Sequence, residues 1–287
     1  MITNARTIYY NNLVLSAVYG TPFKATENTT LNEKFGIAVD TTTLAAGVYP
    51  TLKYFAIGNG NATSVLLQTD GYMHRNNHDA SHAALYNHIP FIARPVDADL
   101  SASERTAYRM RVVTDIGGTE YAFYYMKTLP TDEIATNYLV VEYALGGSID
   151  ISVYQSDPVV LSPVMHEANA DVDSEVNRSI VISKKMPFIL TTDDLAEIKS
   201  AVTLIVGEEN LQSSDYAINE LAVCSGLDIS DGVNNEVSRA QVAFFVDIDY
   251  DVETTILNGE SINRDIELAG VDRLSFYNPA DETVVTG

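Results

Sequence analysis

Apolar and polar residues alternate for longest in Gln241–Thr254, QVAFFVDIDYDVET. Val242, Phe244, Val246, Ile248, Tyr250 and Val252 fall on one face, and Asp247, Asp249, Asp251 and Glu253 on the other. A period of two held that long predicts a strand with one packed and one wet face, the habit of antiparallel sheets. Shorter apolar runs predict further strands at Arg6–Ser16, Thr51–Ile57, Ser64–Thr69, Ile89–Arg94, Asn137–Glu142 and Ser148–Tyr154. Ser179–Ser183, Met186–Leu190, Ala217–Cys224, Arg264–Ala269 and Arg273–Tyr277 continue the series. Tyr108–Thr114 and Tyr121–Thr128 flank Asp115-Ile116-Gly117-Gly118 and predict a hairpin. Lys24–Lys34 and Asn76–Ser81 are polar and predict loops. Gly58-Asn59-Gly60-Asn61 predicts a turn, since Gly and Asn tolerate positive φ.

The period changes clearly once. Leu195, Ile198, Val202 and Ile205 recur at helical spacing behind Thr191-Thr192-Asp193-Asp194, and Gly207 stands where a left-handed cap would end the helix. The spacing predicts a helix over Asp193–Val206 with those four side chains buried. Ser101-Ala102-Ser103-Glu104 fits a capping box and predicts one or two helical turns. Many short strands, glycine turns and one or two inserted short helices predict a mainly β chain. The expected fold is an antiparallel, jelly-roll-like β-sandwich, with α+β as the competitor. Residues 1–287 read as one β-rich domain, and the polar, acidic stretch 156–179 is the candidate boundary.

Composition narrows the function. The 287 residues suffice for a substantial core, and no apolar run approaches the length of a signal peptide or membrane span. Residues 1–150 hold 14 acidic and 10 basic side chains, net −4, whereas residues 151–287 hold 25 and 7, net −18. So acidic a surface repels phosphates, which argues against nucleic-acid binding. The single cysteine, Cys224, sits in the apolar run LAVC and reads as a buried thiol in a chain made in a reducing cytoplasm.

Several segments together carry a resemblance. AIGNG (residues 56–60), LYNHIPFIARP (85–95), LSASERTAYRMR (100–111), PFILTTDDLAEI (187–198) and INELAVCSG (218–226) resemble structural proteins of tailed, contractile bacteriophage virions. The resemblance spans roughly residues 50–230. It implies a non-enzymatic subunit of the neck, tail or baseplate, located in the virion and partnered by copies of itself and by other virion proteins. A carbohydrate- or receptor-binding β module is the alternative. The 17 tyrosines and the acidic loops favour it, and the absence of Trp counts against it.

No residue is assigned a catalytic, cofactor-binding or metal-binding role from the sequence. His74, His78 and His82 are spaced by four and would line one face of a helix as metal ligands beside Asp79. Arg75-Asn76-Asn77 is a poor helix interior, so loop histidines that only hydrogen-bond are the preferred reading. Asp171, Asp173 and Glu175 alternate like the start of a calcium loop, but Val176 and Ile182 stand where an EF-hand needs Gly and Glu. Gly58-Asn59-Gly60 lacks the Lys-Ser/Thr of a phosphate loop. The row Asp247, Asp249, Asp251 and Glu253 reads as a solvated face, or one that meets a basic patch on a neighbour.

Overall fold

A computed structural model of the protein describes residues 4–38, 42–63, 74–75, 77–130, 135–144, 149–155, 161, 176–230, 235–250 and 262–270. The strands are β1 (Asn4–Arg6), β2 (Thr51–Gly58), β3 (Ala62–Thr63), β4 (His74–Arg75), β5 (His88–Ile89), β6 (Ile92–Pro95), β7 (Tyr108–Ile116) and β8 (Thr119–Thr128). They continue with β9 (Ala135–Ala144), β10 (Ile149–Val153), β11 (Val176–Leu190), β12 (Ile218–Ser230), β13 (Asn235–Tyr250) and β14 (Ile262–Gly270). The α-helices are α1 (Ile8–Tyr19), α2 (Leu31–Lys34) and α3 (Thr192–Val206). The class expected from the sequence is the one observed: mainly antiparallel β with short inserted helices. The chain divides into two compact units, Met1–Leu129 with Ile189–Asn263, and Pro130–Phe188 with Arg264–Gly287.

The first unit is built on an eight-stranded sheet of order β1-β13-β12-β2-β8-β6, with β5 added on β2 and β7 on β8. Its central strands are buried on both faces. Tyr54, Phe55, Ala56 and Ile57 of β2 and Leu221–Ser225 of β12 have almost no exposed surface. The same holds for Gln241–Val246 of β13, which corrects the expectation of a wet face there. A register shift explains why alternation misled. Val223 pairs with Phe244 but Cys224 pairs with Val242, so Ala243 is an extra residue. A bulge moves the following side chains to the other face. Val242 therefore joins Phe245 in the cluster around Tyr54, Ala56, Met126 and Cys224, while Phe244 packs its ring 4.6 Å from Tyr10. The side chains of Asp247 and Asp249, and all of Asp251 and Glu253, lie outside the described residues.

In the segment Arg6–Ser16 only Arg6 is strand, the end of β1, and Ile8–Ser16 belongs to α1. Thr7 caps it, accepting the Tyr10 amide, and Gly20 ends it at φ 63° with its N–H on Ser16 O. The Thr7 hydroxyl also donates to Val242 O at 2.6 Å, fastening the helix start to the bulged strand. Lys24–Lys34 is not wholly loop either. Thr30 and Glu33 form a capping box over α2, and the Asn32 side chain bridges Val237 O and the Ala240 amide, at 2.8 and 2.9 Å. The turn expected at Ser101–Glu104 forms: Ser101 N–H donates to Glu104 Oε2 at 2.9 Å, and a 3-10 turn follows over Glu104–Thr106. The hairpin across Gly117-Gly118 is β7–β8, paired from Tyr108↔Lys127 to Ile116↔Thr119.

Helix α3 starts at its Thr191 cap and buries Leu195, Ile198, Ala201 and Val202. Ile205 is half-exposed, against expectation, because it sits in the last turn. Gly207 has φ 85° but ψ 139°, so it ends the helix without a left-handed cap. Arg94 of β6 forms a two-pronged bond with Glu197 of α3, at 2.8 and 2.6 Å.

The second unit carries a four-stranded sheet of order β10-β9-β11-β14. The two short strands expected around Pro187 are one strand, β11. Among the described residues its pairing with β9 runs from Val176↔Ala144 to Lys185↔Ala135, a stretch of ladder that does not call on the missing Pro187 N–H. Most of the stretch 156–179, including Asp171, Asp173 and Glu175, lies outside the described residues, as do Ser64–Thr69 and Arg273–Tyr277.

Candidate functional site

The densest group of convergent polar chemistry surrounds Glu220 of β12. The local sequence Ile218-Asn219-Glu220-Leu221 puts one acid into an apolar strand, and its side chain is fully buried. Glu220 pairs across the sheet with Gly58 on one side and Asp247 on the other. Its carboxylate accepts four bonds: from His78 Nε2 at 2.8 Å, Tyr86 N at 2.9 Å, Asn87 N at 3.2 Å and Gly60 N at 2.7 Å. Burial pushes its pKa up, but the His78 bond and the three backbone bonds outweigh that and hold it below the ordinary carboxylate value.

Glycine is required beside this carboxylate for space. A Cβ on Gly58 would lie 2.3 Å from Asn87 O and 2.7 Å from Glu220 Oε2, and one on Gly60 would lie 2.6 Å from Asn87 N. Neither glycine has positive φ, which corrects the reason given for the Gly58–Asn61 turn. An amide lattice continues outward. Asn61 N donates to Asn219 Oδ1 at 3.0 Å, Asn219 Nδ2 to Asn59 O at 3.2 Å, and Asn87 Nδ2 to Asn59 Oδ1 at 2.5 Å. The fragments AIGNG, LYNHIPF and INELAVCSG, far apart in sequence, thus meet at one carboxylate.

The histidines divide. His78 is buried by side chain and stacks nearly parallel on Phe245, centroids 3.9 Å apart, and on Tyr86 at 4.6 Å. Its Nδ1 lies 3.3 Å from His82 Nδ1. Both sit in the loop between β4 and β5, not on a helix. His74 is in β4, paired with Thr63, and its side chain is outside the described residues. Among the described residues no three His, Cys, Asp or Glu side chains converge as a metal-binding group. His88 accepts the Leu85 amide at Nε2, 3.1 Å away, so its proton sits on Nδ1, which is sealed from solvent without a partner. Burial pushes its pKa down to about 3.

Three further carboxylates hold structure in the same manner. Asp228 takes Lys53, the Tyr54 hydroxyl and Arg109 Nε. Asp99 takes Arg105, Arg111, the Tyr124 hydroxyl and the Leu100 amide, at 2.6 to 2.8 Å. Asp194 takes Lys127 at 2.5 Å while capping α3. Cys224 is fully buried and its thiol pKa is pushed up by burial, so it is no nucleophile. A separate cleft of about 660 Å³ lies between α1 and the segment 24–29, with Gln241 in its lining; the Gln241 amide is already spent on Thr29 Oγ1 at 2.6 Å.

Sequence reasoning missed Glu220. The available signal was one acid inside INELAVCSG, an apolar run that elsewhere holds a buried thiol. A buried carboxylate needs donors, and the donors are backbone amides of residues remote in sequence.

What these sites define is a mainly antiparallel β protein in which the buried Glu220 and the more exposed Asp228, Asp99 and Asp194 tie neighbouring segments together. The chain belongs to a family of unknown function, DUF7208, whose model matches residues 2–258. No curated protein and no solved structure matches it. No helix among the described residues is long and apolar enough to cross a membrane.

Proposed function

We propose that the chain is a non-enzymatic structural subunit of a tailed, contractile bacteriophage virion, built into the neck, tail or baseplate beside copies of itself and other virion proteins. The observation that carries the reading is the outward face of α1. Ile8, Leu15, Val18 and Tyr19 are 51, 54, 73 and 74 % exposed; Leu15 follows Ile8 by 7 residues, and Val18 and Tyr19 follow Leu15 by 3 and 4, which makes them one stripe. An exposed apolar stripe on a chain of net charge −22 is costly to leave in water and suits a surface covered on assembly. The resemblance of residues 50–230 to virion proteins supplies the kind of assembly. The use of Glu220, Asp228, Asp99 and Asp194 to tie loops, strands and a helix end together fits a scaffold.

The carbohydrate-binding alternative has less support, because Tyr54 and Tyr124 are buried and their hydroxyls are held by Asp228 and Asp99. Mass spectrometry and electron microscopy of purified particles test the proposal. The chain is expected in stoichiometric, symmetric copy number, and its absence from the particle overturns the reading.

A further inference from the structure

We propose that α1 pairs antiparallel with α1 of a second copy of this chain across a twofold axis, each Tyr19 entering the cleft beside the other copy's Ile8. The proposal rests on the reading of α1 as a covered face and names what covers it. Charge selects the occupant. Arg6, Lys24 and Glu27 are the only charged side chains in residues 1–30, net +1, in a chain of net −22. The 12 residues of α1, IYYNNLVLSAVY, carry none. Copies of so acidic a chain repel one another, and a charge-free face is where they approach at least cost.

The helix is also its own complement. Ile8, Asn12, Leu15 and Tyr19 are all exposed and follow one another by 4, 3 and 4 residues, one line along the helix. That spacing reads the same in both directions. Antiparallel pairing about a twofold therefore sets Ile8 opposite the partner's Tyr19 and Asn12 opposite the partner's Leu15, as a self-complementary interface requires. A knob and a hole stand at opposite ends of the line. Tyr19 is the knob, 74 % exposed. The hole is the cleft of about 660 Å³, where Ile8, Tyr9 and Asn12 face Lys24, Ala25 and Glu27. Its apolar wall suits the ring, and Lys24 and Glu27 suit the hydroxyl, the two needs of a buried Tyr. Twelve residues of helix span about 18 Å. The contact therefore stands at the small end of the range for stable pairs, about 1,200–2,000 Å² in total, and the dimer dissociates on dilution.

Sedimentation equilibrium of the full chain, from about 1 to about 300 µM, reads the pairing directly. The mass is expected to rise with concentration from 31.4 kDa towards twice that. Tyr19→Ala removes the knob and Asn12→Arg fills the hole, both at exposed positions. Each variant should melt like the wild type and associate at least about tenfold more weakly. An equimolar mixture of the two should associate more tightly than either alone, because Tyr19 of one still meets the open cleft of the other. A wild-type chain that stays monomeric over the whole range overturns the proposal and leaves the stripe to a different protein. Association that either variant leaves unchanged overturns it as well, by placing the contact elsewhere. The virion reading fails separately: a solution dimer absent from purified particles sinks that reading alone, and a monomer present in them sinks the dimer alone.

Discussion

At the residue scale the buried groups around β5 make stability depend on pH in a defined direction. His88 is held neutral: burial lowers its folded pKa to about 3, with Glu220 opposing and Lys34 and His78 assisting. An unfolded histidine titrates near 6.5. Between these values the unfolded chain binds a proton that the folded chain refuses, so stability falls as pH drops through this window. Glu220, with a lowered pKa, adds its own loss only below the ordinary glutamate value. Melting curves from pH 7 to pH 5 therefore separate the His88 loss from that of Glu220. The wild type should lose stability over that range. His88→Gln, whose amide oxygen can take the Leu85 N–H without titrating, should lose clearly less. Parallel losses in the two proteins would assign the acid sensitivity elsewhere. None of this was legible in the sequence, where His88 is one of four histidines within Met73–Ile89. Which of them is enclosed depends on the pairing of His88 with Gly58.

At the element scale, α3 offers the sharpest comparison. Leu195 and Ile198 are completely buried, whereas Ile205, on the same expected face, is 50 % exposed. Leu195→Ala or Ile198→Ala should cost about 2–5 kcal/mol in urea unfolding, and Ile205→Ala less than about 1 kcal/mol. Equal costs at the three positions would mean that the last turn packs as tightly as the first. The helix was readable because cap, acidic first turn and period agree. Its terminal exposure was not, because periodicity gives direction around an axis and not how far the neighbouring surface extends along it. Helix α1 was misread for a related reason. Ile8, Tyr9, Tyr10, Val14 and Val18 favour strands intrinsically, and the Asn11-Asn12 pair hid the helical stripe. The signal was present in Thr7 and Gly20, a cap and a left-handed stop at the right separation for a three-turn helix. For β13, hydrophobic alternation located the strand but not its surroundings. Over Gln241–Val246 the bulge at Ala243 and the helices fastened to the strand bury both faces.

At the scale of the whole molecule, the question is whether α1 is a contact surface or a tolerated exposure. The stripe Ile8, Leu15, Val18 and Tyr19 contributes little to the fold of its own chain, where α1 buries only Leu13 and Ser16. Replacing Leu15 and Val18 together by Glu should therefore leave folding within about 0.5 kcal/mol per site, as for exposed positions generally. The same change places two charges where an assembled neighbour would have to desolvate them, a cost of several kcal/mol for each ion that finds no partner. The two effects separate cleanly. The double variant should melt like the wild type as a free chain yet be lost, or strongly depleted, from purified particles. Wild-type copy number of a normally folded double variant would show that α1 faces water in the assembled state. If the variant is excluded, a compensating Lys or Arg on the neighbouring protein should restore it, because the acidic chain lends itself to selection by opposite charge more readily than by apolar area alone.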